Sequence, residues 1–184
     1  MEAIVGYTGF VGSNIVASHS FEGCYNSKNI SAAYGTKPDL LVYSGVPAEM
    51  FLANQNPEAD RELMNKAIEN IKKIQPKKLV LISTIAVYQN PDRVDEDYEI
   101  DESTLTAYGA NRLYLERWVE ANINDYLIVR LPGLFGKNIK KNFIYDYIYY
   151  IPAMLNQEKY AELFEINKQM TLWLLDHWNA LCNM

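Results

Sequence analysis

The chain has 184 residues, of which 49% are hydrophobic and 22% charged, so it is long enough to bury a core of its own as one domain. Its net charge of −6 disfavours nucleic acid as a partner, because no broad positive field attracts a phosphate backbone. The two cysteines, Cys24 and Cys182, are far apart, which argues against a disulfide framework or a thiolate metal site.

Two further classes are excluded in the same way. No run reaches the roughly 18 apolar residues of a membrane span, and the N-terminus lacks the pattern of a secretion signal. His19 and His177 have no metal-ligand spacing with other histidines or cysteines, so we expect no metal site. These features predict a soluble cytoplasmic protein.

Short apolar runs, rich in β-branched residues and flanked by polar ones, predict buried parallel strands at residues 3–5, 40–43, 79–82 and 126–129. A shorter strand is expected at 21–25, followed only by a brief segment at 31–35 where a strand–helix unit is reduced or missing. The intervening helices are predicted to start near Ser13 and to span 58–74 and 106–122, the second because Leu63, Ala67, Ile71 and Ile74 recur at helical spacing.

This alternation predicts an α/β fold, a Rossmann-like doubly wound parallel sheet with helices on both faces. An acidic stretch at 92–102 is expected to be a solvated connection. The pattern changes near residue 150. We therefore expect one domain over 1–150 and a short helical extension over 151–184.

A glycine-rich segment opens the chain, directly after the first predicted strand and before a helix. Gly6, Gly9 and Gly12 stand at three-residue spacing, with Thr8, Phe10 and Val11 between them. Glycines at such places permit a tight turn and let backbone N–H groups approach a pyrophosphate. A turn without ligand has the same glycine pattern, but its position after the first strand favours a dinucleotide.

Three more motifs follow in an order that resembles the extended short-chain dehydrogenase/reductases, the NAD-dependent epimerase/dehydratase family. Ser83-Thr84-Ile85-Ala86-Val87-Tyr88 is similar to the family's Ser-Ser/Thr-x-x-Val-Tyr segment. Tyr108-Gly109-Ala110-Asn111-Arg112 stands at its Tyr-x-x-x-Lys motif, and Arg130-Leu131-Pro132-Gly133 at a following strand end. The resemblance covers about residues 1–145. It implies an NAD(P)-binding Rossmann domain over 1–150, and Thr84, Tyr108 and Arg112 as catalytic residues.

The chemistry requires these residue types. Hydride transfer between a sugar carbon and a nicotinamide needs a base for the neighbouring hydroxyl, and a tyrosine serves where a cation favours its ionised form. Tyr108 is predicted to be that acid/base, with Thr84 hydrogen-bonded to the reacting oxygen. Arg112 replaces the family's lysine: it keeps the positive charge expected to tune Tyr108 and hold the ribose, but its bulkier planar fork cannot relay a proton.

The segment after the second strand decides the expected cofactor. An NAD site usually carries an acid there, whereas this chain has Asn26, Ser27 and Lys28, which suit a 2′-phosphate and favour NADP over NAD. By the resemblance, Ser44, Gly45 and Val46 also lie along the cofactor, and Leu131, Pro132 and Gly133 lie at its nicotinamide end, with Tyr108 and Arg112.

The resemblance implies an NAD(P)-dependent oxidoreductase or epimerase that acts on a nucleotide-linked sugar, and a homodimer through the 58–74 and 106–122 helices. Dehydration is disfavoured, because Ile85 and Ala86 replace the acidic pair of the family's dehydratases. The family's C-terminal substrate portion is reduced or missing here. An alternative is a catalytically impaired NAD(P)-binding sensor or interaction protein of the same fold.

Overall fold

The computed structural model describes residues 1–95, 97–139 and Tyr145. The chain falls into two compact units, Met1–Leu134 and Phe135–Met184, and the architecture below is that of the first. The helical extension expected over 151–184 and His177 lie outside the described residues. No helix in the described part is long and apolar enough to cross a membrane.

Five parallel strands form one sheet in the first unit, in the order β2-β1-β3-β4-β5. The strands are β1 (Glu2–Val5), β2 (Gly23–Tyr25), β3 (Leu40–Tyr43), β4 (Lys78–Thr84) and β5 (Tyr126–Leu131). Each predicted strand is therefore present. A 3-10 turn, Ile30–Ala33, connects β2 to β3 in place of a longer strand–helix unit, as expected.

Four helices join the strands: α1 (Phe10–Ser18), α2 (Met50–Gln55), α3 (Pro57–Ile74) and α4 (Ala107–Asn122). From β1 the chain continues towards the β2 edge of the sheet, whereas from β3 and β4 it continues towards the β5 edge. Because all these crossovers are right-handed, α1 covers one face of the sheet and α3 and α4 cover the other. This arrangement confirms the predicted doubly wound fold.

The first helix begins three residues earlier than predicted. Gly9 is its N-cap, and the Ser13 amide donates to the Gly9 carbonyl at 2.8 Å. Gly12 therefore lies inside the helix and not, as a helix start near Ser13 would require, in the loop before it. Glycine is a poor helix former, which is why the pattern hid this first turn.

Local sequence explains the ends of α3. The Asn56 side chain accepts from the Ala59 amide, Pro57 occupies the first turn, and Gln75 ends the helix in the left-handed conformation. The face that packs on the sheet and α4 is apolar and buried, and comprises Met64, Ala67, Ile68, Ile71 and Ile74. Leu63, which belonged to the predicted apolar stripe, is 39% exposed instead.

A smaller apolar cluster lies beyond the end of β4. Val87, Tyr88 and Leu113 are buried there, with Val94 and Ile100 packed against them. The acidic connection at 92–102 is therefore more than the solvated loop that its charges suggested, because its two aliphatic residues attach it to this cluster. The short helix α2 was not predicted at all, since its three exposed apolar residues, Met50, Phe51 and Leu52, follow no amphipathic period.

Candidate cofactor and catalytic site

A cavity of about 330 Å³ opens at the carboxyl ends of β1 and β3. The chain leaves these neighbouring strands in opposite directions, and such a switch point is where open α/β sheets bind ligands. The predicted cofactor residues among its lining are Gly6, Thr8, Gly9, Asn26, Ser27, Ser44, Gly45 and Val46.

The glycine loop forms one wall of this cavity. A Cβ added to Gly12 would lie 2.2 Å from the carbonyl oxygen of Gly6, so a larger residue would push α1 away from the loop. Phe10 and Val11 form the first turn of α1 together with Gly12. The positive end of that helix therefore begins at the cavity, where it favours an anion.

The turn after β2 forms a second wall. The Asn26 amide donates to Asn29 Oδ1 at 2.7 Å, and Asn26 Oδ1 accepts from the Lys28 amide at 2.9 Å. Asn26 and Ser27 line the cavity, but Lys28 does not. The structure thus brings together two of the three residues predicted to recognise the 2′-phosphate.

Helix α3 supplies the third wall, which no motif in the sequence indicates. Leu63, Lys66, Ala67 and Asn70 line the cavity at helical spacing. Lys66 is its only lining cation among the described residues, and its ammonium forms no ion pair within that part of the chain. The amphipathic pattern identifies the buried face of α3, but only the tertiary structure shows which flank faces the ligand.

Asn70 joins this wall to β3. Its Nδ2 donates to the Tyr43 hydroxyl oxygen at 3.1 Å, and its Oδ1 accepts from the Tyr34 hydroxyl at 2.9 Å. Burial raises the pKa of Tyr43 to about 12, against a smaller lowering effect of the Asn70 hydrogen bond. Tyr43 is therefore a neutral, fixed part of the cavity and not a titrating group near neutral pH.

Thr84 ends β4 and Tyr108 begins α4. The Thr84 Oγ1 accepts from the Ala86 amide at 3.1 Å, which caps the 3-10 turn Ile85–Val87. Helix α4 packs closely on this turn: a Cβ on Gly109 would lie 2.2 Å from the Ala86 oxygen. This glycine therefore allows the first turn of α4, which carries Tyr108, to approach the end of β4.

Tyr108 itself is 5% exposed. Its backbone amide donates to Asn54 Oδ1 of α2 at 2.9 Å. Its phenol hydroxyl has no hydrogen-bond partner in residues 1–95 and 97–139. The side chain is thus held by its surroundings while its hydroxyl has no partner in that part of the chain, an arrangement compatible with the predicted acid/base role.

Arg112 lies one turn further along α4 and is committed to protein partners. Nη1 donates to Asp60 Oδ2 at 2.7 Å and lies 3.6 Å from the Met64 sulfur. Nη2 donates to Asp60 Oδ1 at 3.1 Å and to the Pro47 carbonyl at 2.7 Å. The guanidinium carbon lies 4.2 Å from the centre of the Tyr108 ring. The cation is therefore beside Tyr108, as expected, whereas its contact with a ribose stays a prediction.

A second ion pair, between the buried Glu116 and the partly buried Arg130, lies beside the end of β4. Glu116 is fully buried, and its carboxylate accepts from Ser83 Oγ and from Arg130 Nη2, the latter at 2.8 Å. Arg130 also donates to the Tyr88 hydroxyl oxygen. Burial by itself lowers the pKa of Arg130, but hydrogen bonding and attraction from Glu116 outweigh it and raise that pKa. This network fixes the strand end that carries Thr84.

The remaining predicted residues lie nearby or outside this cavity. Leu131 pairs with Thr84 across β4 and β5, and Pro132 and Gly133 follow it, but none of the three lines the cavity. The exposed His19 Nε2 lies 2.6 Å from a Glu2 carboxylate oxygen. No cluster of candidate metal ligands occurs among the described residues.

Comparison with known proteins supplies a family. Residues 4–150 match the family described as "RmlD substrate binding domain". None of the curated protein sequences is similar enough to the chain to count as a match. The family match and the solved structures below confirm the resemblance to the extended short-chain dehydrogenase/reductases and the Rossmann-like fold.

Three solved structures illustrate the likeness. The dTDP-4-dehydrorhamnose reductase from Bacillus anthracis str. Ames, in complex with NADP, is 23% identical with a TM-score of 0.66, covering 80% of this chain and 58% of that one. The UDP-N-acetylglucosamine 4-epimerase from Methanobrevibacter ruminantium M1, in complex with UDP-N-acetylmuramic acid, is 18% identical (TM-score 0.61; 82% and 62% covered). RMD from Pseudomonas aeruginosa, complexed with NADPH, is 14% identical (TM-score 0.56; 72% and 53%). The chain thus spans less than two thirds of the length of these proteins.

Proposed function

We propose, because this chain belongs to the RmlD substrate binding domain family, that it binds NADP(H) and catalyses oxidoreduction or epimerisation of a nucleotide-linked sugar. The single observation that carries the proposal is the cavity at the β1/β3 switch point, which combines the glycine loop, Asn26 and Ser27. Solved relatives that hold NADP and NADPH support the choice of cofactor.

The cavity residues fit the cofactor by their chemistry. The glycine loop and the start of α1 offer backbone donors for a pyrophosphate. Asn26 and Ser27 offer uncharged donors, and Lys66 adds a cation on the facing wall. None of the described residues that line the cavity is acidic, so none of them repels a 2′-phosphate. NADP is therefore the preferred cofactor and NAD the second choice.

Two side chains would carry out the proton chemistry, while the bound nicotinamide would give or take the hydride. The Tyr108 hydroxyl would donate its proton to the substrate oxygen during reduction of a carbonyl and would take it back during oxidation. Thr84 Oγ1 accepts from the Ala86 amide, which leaves its own hydrogen free for that same oxygen. Arg112 would keep positive charge at the face of the Tyr108 ring.

The first experiment is a calorimetric titration of the purified protein with NADPH and, separately, with NADH. We expect micromolar binding of NADPH and much weaker binding of NADH. Binding of neither nucleotide would overturn the cofactor proposal. Turnover is then measured with dTDP- and UDP-linked 4-keto sugars as probes.

The alternative is an NADP(H)-binding sensor without catalysis. The observation that favours it is Arg112, because all four hydrogens of its terminal nitrogens have protein partners instead of a ligand. A protein that binds NADPH but turns over none of the sugar probes would support this second function. The homodimer through α3 and α4 also stays a prediction, to be checked by sedimentation velocity.

A further inference from the structure

We infer that Asp60 is a positioning residue of this site, which acts through Arg112 on the cofactor-side segment Ser44–Pro47 and on the ring of Tyr108. The inference rests on the proposed function for its consequence, but its geometry stands alone. Three separate parts of the chain meet at one guanidinium: α3 through Asp60, α4 through Arg112 itself, and the segment after β3 through Pro47.

The geometry of the pair is that of a fixed clamp. Both Asp60 oxygens accept from Arg112, at 2.7 and 3.1 Å, in the two-point arrangement that a planar guanidinium favours. The two side chains are 6% and 5% exposed. Each terminal nitrogen has two hydrogens, and the Pro47 oxygen and Met64 sulfur accept the remaining two. The guanidinium orientation is therefore fully determined.

Asp60 is held from its other side as well. Asn111 Nδ2 donates to Asp60 Oδ2 at 2.9 Å and to the Pro57 carbonyl at 3.0 Å. A buried carboxylate needs such additional donors, because the attraction of one cation rarely offsets the loss of hydration. The carboxylate thus has a full set of partners before any ligand binds.

Two contacts of Arg112 connect the Asp60–Arg112 pair to the proposed cofactor and catalytic residues. Pro47 lines the cavity immediately after Ser44, Gly45 and Val46, so the hydrogen bond to its carbonyl fixes that wall. The guanidinium also covers the Tyr108 ring at 4.2 Å. Asp60 touches neither the cavity lining nor Tyr108 in any described contact, and it acts only through Arg112.

This arrangement explains why arginine stands at position 112. A lysine ammonium is a single point of charge and cannot bind both Asp60 oxygens and the Pro47 carbonyl with the same planar fork. Arginine at 112 and aspartate at 60 therefore form one unit. Arg112→Lys alone should not create a lysine available to a ribose, because the buried Asp60 carboxylate would attract the ammonium.

The test replaces both charges by apolar side chains of similar size, Asp60→Leu with Arg112→Met. Replacing both members of a buried ion pair is often neutral for stability, so this variant separates positioning from folding. Arg117→Met with Glu120→Leu is the matched control, since that exposed pair lies on α4 but away from the site. Melting temperature, hydrogen exchange of the Ser44 amide, which donates to the Val5 carbonyl at 2.9 Å, and the NADPH dissociation constant are measured for each protein.

We expect the buried double variant to melt within a few degrees of the wild type. Its Ser44 amide should exchange at least tenfold faster, and its NADPH dissociation constant should rise about tenfold. The control should match the wild type in all three. Unchanged exchange and affinity in the buried double variant would overturn the inference, because the pair would then serve folding alone.

A second variant covers the case in which the double variant does not fold. Asp60→Asn keeps the shape and one acceptor oxygen but loses the charge, so faster exchange of the Ser44 amide is again expected, and Asp60→Glu should recover part of the protection. Wild-type exchange in Asp60→Asn would overturn the inference. Exchange needs no ligand, so failure of the wild type to bind NADPH would reject the proposed function without affecting this test.

Discussion

Lys66 and Lys28 are the two candidate cations for the 2′-phosphate of NADP, and substitutions can distinguish them. The sequence predicted Lys28 as the cation for the 2′-phosphate, whereas Lys66 is the lysine that lines the cavity. We expect Lys66→Gln to weaken NADPH binding about three- to tenfold with little change for NADH, because a charge-assisted hydrogen bond to phosphate is lost. Calorimetry on both nucleotides measures this effect.

Lys28→Gln is the matched control for that substitution, since it removes the same charge from a neighbouring surface position. Its NADPH affinity should stay near that of the wild type. If Lys28→Gln weakens NADPH binding and Lys66→Gln does not, the 2′-phosphate lies on the turn after β2 and Lys28 is its cation.

Tyr108 carries the proposed proton transfer. Tyr108→Phe removes only the hydroxyl, which has no partner in the described part of the chain, so folding and NADPH affinity should change little. Turnover should fall by about 10²- to 10⁴-fold, the usual contribution of a positioned acid or base. Tyr114→Phe, on the same helix but bound to Asn65 at the surface, is the control. Equal turnover in wild type and Tyr108→Phe would exclude the role.

Residues of the site differ in how far the sequence could identify them. The glycine loop is contiguous and its spacing has a local physical reason, so Gly6, Gly9 and Gly12 could be named directly. Asp60 and Lys66 could not, because their roles depend on how α3 packs beside residues about 20 to 50 positions away. Local patterns identify a helix face, but not what lies opposite it.

At the scale of elements, Glu116 and Arg130 tie α4 to β5. Glu116 is fully buried, so Glu116→Gln would leave the Arg130 guanidinium without its charge partner. We expect a loss of about 1.5–3 kcal/mol in the free energy of unfolding, measured by urea denaturation, because Arg130 is partly exposed and keeps its bond to the Tyr88 hydroxyl. Glu120→Gln on the same helix breaks only an exposed pair with Arg117 and should cost at most about 1 kcal/mol. A similar small loss for both would contradict this account.

Asp39 joins the starts of three strands. Its carboxylate lies 2.7 Å from Lys77 Nζ, just before β4, and 2.6 Å from the Met1 ammonium, just before β1. The Lys77 hydrogen bond is the largest cause that lowers the pKa of Asp39 to about 2. A depressed folded-state pKa stabilises the fold above the unfolded value of about 3.9, and this contribution disappears as the pH falls towards 2.

Asp39→Asn should therefore lower the melting temperature at pH 7, and the difference from wild type should shrink between pH 4 and pH 2. Thermal melts across that range measure the effect, with Asp92→Asn in the exposed acidic connection as control. A difference between Asp39→Asn and wild type that stays constant down to pH 2 would show that the carboxylate charge is not the cause.

For the whole molecule, binding of NADPH should raise the melting temperature. A ligand that binds only the folded state at 100 times its dissociation constant stabilises it by about 2.7 kcal/mol. For a chain of this size that corresponds to a rise of roughly 5–10 °C in melting temperature. NADPH should produce it and NADH at the same concentration should produce less. No shift with NADPH would contradict the proposed cofactor.

The fold as a whole was more predictable than the site. Buried parallel strands are continuous apolar runs, so all five could be located from the sequence. The few residues between β2 and β3 likewise indicated that a strand–helix unit is reduced there. The helix α2 escaped because it has only six residues and exposes Met50, Phe51 and Leu52. Sequence patterns report burial, and this helix buries little beyond Ala53.

The reduced unit after β2 also bears on self-association. With the 3-10 turn Ile30–Ala33 in place of a further strand, β2 is an edge of the described sheet, and open edges invite strand pairing between molecules. This edge has only three residues, and Asn29 Nδ2 donates to the Cys24 carbonyl at 3.2 Å. A strand of a neighbouring molecule could therefore pair with only three residues of β2, and the Cys24 carbonyl is already occupied. These two features protect the β2 edge against aggregation.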